Sequence, residues 1–198
     1  MTAGYYGMVA QLDHAIGRVL DTLAARGLTD DTLVIVTTDH GEFLGEHQMI
    51  FKGPFGYDSL LRVPLLVRGP GVPAGATVDE PVGTIDLAPT ILGAAGMEAP
   101  VWMEGSPLGR PREYVLTEND FEIVASIPMR TITTARYKLH RYLAAPFGEL
   151  YDLADDPGEV VNRYDDPAFA ATRRDLTALL DEVMNHDVRK EPTVGLVA

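Results

Sequence analysis

One short run of residues, Leu33-Val34-Ile35-Val36-Thr37, constrains the fold more than any other part of the chain. A continuous run rich in β-branched residues predicts a strand that is buried on both faces. A second such strand is predicted over residues 63–67. Apolar residues at helical spacing predict amphipathic helices over residues 6–23 and 85–95. Helices that alternate with buried strands indicate an α/β fold with a partial doubly wound, mostly parallel sheet.

The pattern changes after residue 109. Short strand-like runs then follow one another without helical segments between them, at residues 114–117, 129–134 and 138–142. Such a series predicts a small antiparallel sheet, and a final amphipathic helix is predicted over residues 167–186. We therefore expect two domains, an α/β part over residues 1–109 and a small α+β subdomain over residues 110–198.

The composition excludes several functional classes. The chain has 198 residues, with 16 basic and 29 acidic side chains and a formal net charge of −13. This acidity argues against a nucleic-acid partner, which requires a basic surface against phosphates. The sequence contains no cysteine, which excludes disulfides, a cysteine-ligated metal and a cysteine nucleophile within this chain.

Targeting signals are not evident in the sequence. No apolar run reaches the roughly 18–20 residues that a membrane span requires. The first residues lack the basic segment and the apolar stretch of a secretory signal. We therefore expect no membrane partner and take a cytoplasmic location as the default.

The strongest indication of a functional site lies directly after the first predicted strand, at Asp39 and His40. Open α/β sheets place their sites at the carboxyl ends of their strands. A carboxylate and an imidazole side by side can bind a divalent cation, and Gly41 allows a sharp turn afterwards. Three residues are a weak signal, however. Purely structural roles remain the alternative: Asp39 could cap a turn, and His40 could be a hydrogen-bonded core residue.

Two further candidates lie in the glycine-rich loop that follows. Lys52, twelve residues after His40, is suited to binding an anionic oxygen, although most lysines are simply exposed surface residues. His47 is a candidate either to hydrogen-bond a leaving group or to brace the loop, and the sequence leaves both roles open.

Taken together, these segments resemble the sulfatase family of the alkaline-phosphatase superfamily. The resemblance covers nearly the whole chain and lies in the order of its motifs rather than in any one of them. The matching segments are Ile16-Gly17-Arg18-Val19-Leu20, Asp39-His40-Gly41-Glu42, Leu44-Gly45-Glu46-His47, Arg62-Val63-Pro64-Leu65, Asp86-Leu87-Ala88-Pro89-Thr90, Tyr137-Lys138 and Leu150-Tyr151-Asp152-Leu153.

The resemblance implies roles for single residues. Asp39 and His40 would be two ligands of a divalent metal, with Ca²⁺ expected first and Mn²⁺ or Mg²⁺ as alternatives. Lys52 would contact the sulfate ester, and His47 is the second catalytic candidate. A histidine at position 40, where many relatives have asparagine, is similar to the iduronate-sulfatase-like and phosphonate-hydrolase-like branches. The implied substrate is a small-molecule or glycan sulfate ester.

The nucleophile expected from the family has no counterpart here. Family members carry an Asp-Asp metal pair and a Cys or Ser that is oxidised to formylglycine, within a C/S-x-P/A-x-R motif. The one formal match, Ser126-Ile127-Pro128-Met129-Arg130, lies downstream of the metal motif, so we reject it. The expectation is a C-terminal part of a sulfatase that by itself hydrolyses little or nothing.

Two other functions remain open from the sequence. The first is a phosphodiesterase or phosphonate monoester hydrolase of the same superfamily, since His40 fits that branch too. The second is a non-catalytic fragment or assembly module. An incomplete sheet would also expose apolar surface, which predicts self-association or an N-terminal partner chain.

Overall fold

A computed structural model describes residues 1–110, 112–121, 127–143 and 145–186 of the chain. The chain divides into two compact units, Met1–Arg112 and Glu113–Ala198. The assignment of residues 1–109 to a catalytic domain stays a prediction.

The first unit combines three helices with two short strands. In chain order its elements are α1 (Thr2–Ala25), β1 (Val34–Val36), α2 (Asp58–Leu61), β2 (Leu66–Arg68) and α3 (Leu87–Ala94). The predicted first strand is confirmed, whereas the second begins later than expected. The backbone N–H groups of Arg62 and Val63 still donate to residues of α2, and Pro64 has no N–H, so pairing starts only at Leu66.

Helix α1 confirms the predicted amphipathic helix and ends before Gly27, whose φ of 67° lies in the left-handed region that favours glycine. None of its residues is buried, and apolar side chains such as Tyr6, Leu12 and Val19 are exposed. Among the described residues, no helix has both the length and the apolar character that crossing a membrane demands.

The two strands of the first unit pair antiparallel, with Ile35 opposite Val67. The combination of helices and strands confirms the α/β class, but this pair does not have the parallel direction that we predicted for the sheet. The reason is physical. An apolar run shows that a strand is buried but does not encode its direction, which depends on the route of the connecting segment.

The second unit is an antiparallel sheet of order β3-β4-β5-β6, closed by one helix. Its elements are β3 (Tyr114–Phe121), β4 (Ile127–Thr134), β5 (Tyr137–Tyr142), β6 (Gly148–Asp152) and α4 (Ala170–His186). Leu176 and Leu180 of α4 pack on Ile132, Leu139 and Leu150 of the sheet. The predicted antiparallel sheet and closing helix are confirmed, and β6 is an additional strand.

Candidate functional site

The candidate site begins where the chain leaves β1. Asp39 lies three residues beyond Val36, and its side chain is 83% exposed. The hydroxyl of Thr38 donates to Oδ1 of Asp39 at 3.1 Å, and the backbone N–H of His40 donates to the same oxygen at 3.0 Å. The Thr38 hydrogen bond, followed by the backbone hydrogen bonds, lowers the pKa of Asp39 below its ordinary value. The carboxylate is therefore both charged and accessible.

The ring of His40 is held in one tautomer. Its Nδ1 lies 2.8 Å from the carbonyl oxygen of Gly41, which can only accept a hydrogen bond. Nδ1 must therefore carry the proton, and in the neutral ring Nε2 carries the lone pair. Nε2 lies 2.7 Å from Nζ of Lys52 and 3.8 Å from Oδ2 of Asp39. Nε2 of His40 thus lies close to both the Lys52 amine and the Asp39 carboxylate.

Gly41 is required by a close approach of two backbone segments. A Cβ atom at this position would lie 1.9 Å from the carbonyl oxygen of Ser59, inside any real contact distance. The backbone N–H of Gly41 also donates to the carbonyl oxygen of Leu60 at 2.8 Å. The carbonyl that orients His40 is therefore fixed in place by α2.

The loop after Gly41 returns Lys52 to His40. Its ends are tied by hydrogen bonds from the Phe43 N–H to the Phe51 carbonyl, at 3.1 Å, and from the Gly45 N–H to the Met49 carbonyl, at 2.8 Å. Phe43 is buried, which anchors the loop to the unit. Four of its residues other than glycine have positive φ, namely Leu44, His47, Gln48 and Phe51. Such backbone conformations cost energy and cluster at functional sites.

His47 has different surroundings from the other candidates. Its ring stacks on Tyr57, with centroids 3.9 Å apart and an interplanar angle of 18°. Tyr57 in turn packs against Phe43 and Phe55. The structure thus brings Asp39, His40 and Lys52 together and places His47 on an aromatic platform. This contact fits the bracing role; contact with a leaving group stays a prediction.

Several contributors were not identified from the sequence. Thr38 and the Gly41 carbonyl orient the two candidate ligands, and backbone groups of this kind leave no compositional signal. Glu42 was only part of a matched segment, yet its Oε1 is buried and has no hydrogen-bond partner in the described part of the chain. Ser126, the rejected nucleophile, lies outside the described residues, while Arg130 of the same match lies in β4 and pairs with Glu118 and Asp120.

The donor set fits part of a divalent metal site. Both candidate ligand atoms, a carboxylate oxygen of Asp39 and, in the neutral ring, Nε2 of His40, offer lone pairs of the kind that metal binding requires. Within the described ranges, no group of three or more His, Cys, Asp or Glu residues could hold a metal ion. The two residues would therefore supply only a fraction of a coordination sphere.

Comparison with known proteins places this chain in a family. The family model described as Sulfatase matches residues 1–97. The uncharacterized sulfatase YidJ of Escherichia coli K12 is 37% identical over 186 residues, which cover 89% of this chain and 37% of that protein. The structure of BT4656 in complex with its substrate D-glucosamine-2-N,6-O-disulfate matches with a TM-score of 0.81 and 29% identity, over 93% of this chain and 40% of that one.

A phosphonate monoester hydrolase of Agrobacterium radiobacter matches with a TM-score of 0.77 and 33% identity, over 92% of this chain and 40% of that chain. The chain belongs to the sulfatase family of the alkaline phosphatase superfamily. It spans a little more than a third of the length of the curated relative that it matches, 37% in the case of YidJ.

Proposed function

We propose that this chain supplies two metal ligands and an anion-binding lysine to a metal-dependent sulfuric ester hydrolase. The observation that carries the proposal is the meeting of Lys52 Nζ with His40 Nε2 at 2.7 Å, beside the carboxylate of Asp39. An exposed lysine next to two potential metal-ligand atoms is suited to an ester that carries negative charge. The sulfatases among the relatives support this choice of ester.

Each residue has a separate task in this proposal. Asp39 and His40 hold the divalent cation, and Thr38 and the Gly41 carbonyl keep both ligands correctly oriented. A bound cation would stabilise negative charge on the ester oxygens. Lys52, whose Nζ lies 2.7 Å from Nε2 of His40, would bind an oxygen of the sulfate group beside a cation held by Asp39 and His40. The chain contains no cysteine, so a cysteine-derived nucleophile is not among its contributions.

The identity of the metal is also a proposal. Ca²⁺ prefers a shell made entirely of oxygen atoms, whereas imidazole nitrogen suits transition metals better. Asp39 is compatible with Ca²⁺, Mg²⁺ and Mn²⁺, and His40 shifts the preference toward Mn²⁺. A direct comparison of Ca²⁺ and Mn²⁺ binding therefore tests whether Asp39 or His40 determines the metal preference.

Mn²⁺ binding should depend on both ligands. Titration of the purified chain, followed by loss of the electron paramagnetic resonance signal of free Mn²⁺, is expected to give a dissociation constant of about 1 mM, since few protein ligands contribute. Asp39→Asn and His40→Ala should each weaken binding by about tenfold or more. Asp30→Asn, at an exposed aspartate outside the site, is the matched control. Equal binding by all four proteins would contradict the assignment.

Lys52 should control anion binding. With Mn²⁺ present, Lys52→Met is expected to weaken binding of inorganic sulfate by about tenfold or more, because a charge-assisted hydrogen bond is lost. Arg62→Met is the control, since Arg62 is also a cation and its side chain is 83% exposed. Calorimetric titration measures the sulfate affinity of each variant. If the two variants lose affinity equally, the effect comes from net charge and not from the site.

A phosphonate or phosphodiester hydrolase is the second candidate, and the match to the Agrobacterium radiobacter enzyme favours it specifically. Competition between sulfate and methylphosphonate for the Mn²⁺-loaded chain distinguishes the two. Preference for methylphosphonate would replace the sulfatase proposal. A chain that binds neither anion would favour the third reading, a non-catalytic assembly module.

The substrate class is proposed by analogy with relatives. One solved neighbour contains a disulfated glucosamine, which supports a sulfated glycan as the ligand.

We expect the purified chain to hydrolyse an aryl sulfate little or not at all with Ca²⁺ or Mn²⁺ present. Robust turnover that survives further purification would show that the chain carries its own nucleophile.

A further inference from the structure

The aromatic ring of Tyr57 contacts the loop that carries Lys52 at two places, at its tip and at its base. We propose that Tyr57 is a positioning residue that holds Lys52 beside His40 by supporting this loop, residues 42–52. The inference deepens the proposed function and rests on it, because it concerns the lysine that would bind the sulfate group. In this role Tyr57 acts through the loop and is not itself a ligand.

Tyr57 is a fixed point because it begins α2. Its carbonyl oxygen accepts hydrogen bonds from the backbone N–H groups of Leu60 and Leu61, at 2.9 and 3.0 Å, and Leu60 is buried. The same short helix holds Gly41, whose N–H donates to the Leu60 carbonyl at 2.8 Å. The Gly41 carbonyl in turn orients His40. The helix therefore provides one common frame for His40 and for the ring of Tyr57.

The loop packs on the Tyr57 ring through two of its own rings. At the tip, the His47 ring stacks on Tyr57, with centroids 3.9 Å apart and an interplanar angle of 18°. At the base, the buried ring of Phe43 meets Tyr57 edge-on, with centroids 6.1 Å apart. The Phe43 N–H donates to the Phe51 carbonyl at 3.1 Å, and Lys52 is the next residue. A continuous series of contacts therefore leads from Tyr57 to Lys52.

The loop needs support from outside because its own backbone is strained. His47 and Phe51 have φ angles of 49° and 64°, in the left-handed region that side chains other than glycine rarely adopt. Such residues persist only where surrounding contacts over-determine their conformation. The stack on Tyr57 is a contact of this kind, and Phe51 directly precedes Lys52. Loss of the Tyr57 ring should therefore let the loop relax and separate Lys52 from His40.

Nuclear magnetic resonance of the whole chain without added metal tests this directly. Because Nζ of Lys52 lies 2.7 Å from Nε2 of His40, a nuclear Overhauser effect is expected between Hε1 of His40 and the ε-methylene protons of Lys52. Tyr57→Leu should abolish this signal, whereas Tyr57→Phe keeps the ring and should retain it. Tyr6→Leu, at a tyrosine of α1 that is 66% exposed, is the matched control and should also retain it.

Sulfate affinity, measured by calorimetry with Mn²⁺ present, gives a second readout. Tyr57→Leu should weaken sulfate binding by about fivefold or more, because Lys52 is no longer held in place before the anion arrives. In the Lys52→Met background, Tyr57→Leu should have no further effect, since a residue that acts through Lys52 is non-additive with it. A merely structural loss would weaken sulfate binding equally in both backgrounds.

Failure of the inference is distinguishable from failure of the proposed function. Circular dichroism shows whether Tyr57→Leu is folded, and His47→Leu removes the other ring of the stack while leaving α2 unchanged, so it should abolish the signal too. The inference is overturned if the unmodified chain lacks the His40–Lys52 signal or if both variants retain it. In a chain that binds sulfate, equal affinity of Tyr57→Leu and the unmodified protein also overturns it. Loss of the signal in Tyr57→Leu, in a chain that binds no sulfate, supports the positioning role and overturns only the proposed function.

Discussion

Replacement of Lys138 by methionine is expected to lower the free energy of unfolding of the second unit by about 3–5 kcal/mol. Nζ of Lys138 lies 2.7 Å from Oε1 of Glu159, and the two side chains are 0% and 2% exposed. The substitution preserves most of the side-chain volume but leaves the Glu159 carboxylate buried without its cation. The penalty of an uncompensated buried charge exceeds the net contribution of the pair itself.

Two further variants isolate this effect. The double variant Lys138→Met/Glu159→Met removes both charges and should recover most of the lost stability, since a buried ion pair is often replaceable by apolar groups. Arg141→Met breaks the partly exposed pair with Asp181 and should cost at most about 1 kcal/mol. Hydrogen exchange of peptides from β5 measures the second unit without assuming that both units unfold together. A small loss in Lys138→Met would contradict the prediction.

The same residues show what the sequence resemblance did and did not explain. Tyr137-Lys138 and Leu150-Tyr151-Asp152-Leu153 were matched as family segments with no role attached. In the structure, Asp152 accepts three hydrogen bonds from Arg136, at 3.0, 3.2 and 2.8 Å, and Lys138 pairs with Glu159. These segments therefore hold the second unit together. A pattern match identifies such positions but cannot distinguish structural from chemical roles.

The position of the candidate site could be predicted because it follows from local rules. An apolar β-branched strand places the next polar residues at its carboxyl end, which is where Asp39 and His40 lie. The class of fold follows in the same way from the alternation of helices and strands. Both inferences need only the order of residues along the chain; the α/β class agrees with the structure, and the functional role of Asp39 and His40 stays a prediction.

Other features depend on contacts that distant residues make. The antiparallel pairing of β1 with β2 depends on the route of the residues between them. The tautomer of His40 depends on the Gly41 carbonyl, which is fixed because Gly41 meets Ser59 and Leu60 of α2. The position of Lys52 depends on left-handed residues that are not glycine, and sequence rules do not predict these. Tertiary packing decides all three.

His140 is expected to make the stability of the second unit strongly dependent on pH. Its side chain is completely buried, and burial, assisted by the nearby charge of Lys138, lowers the pKa of His140 to about 3. The unfolded chain binds a proton near pH 6.5, whereas the folded chain does not. Below pH 6.5 the unfolded state therefore holds more protons, and stability must fall as the pH falls.

The expected loss is about 1.4 kcal/mol per pH unit, which amounts to about 4–5 kcal/mol between pH 6.5 and pH 3. Asp152, whose pKa is lowered mainly by its hydrogen bond with Arg136, contributes in the same direction. Its contribution is lost only near and below pH 4, so the range from pH 6 to pH 4.5 reports chiefly on His140. Hydrogen exchange of β5 at several pH values measures the slope.

The variant His140→Gln tests whether this histidine causes the pH dependence of stability. His140→Gln removes the titrating ring and should flatten the dependence between pH 6 and pH 4.5, even though loss of the Thr131 contact lowers stability at every pH. His14→Gln, at an exposed histidine of α1, should leave the slope unchanged. The slope separates titration from a merely structural effect, because a structural loss shifts the whole curve and keeps its shape. An unchanged slope in His140→Gln would assign the pH dependence to another group.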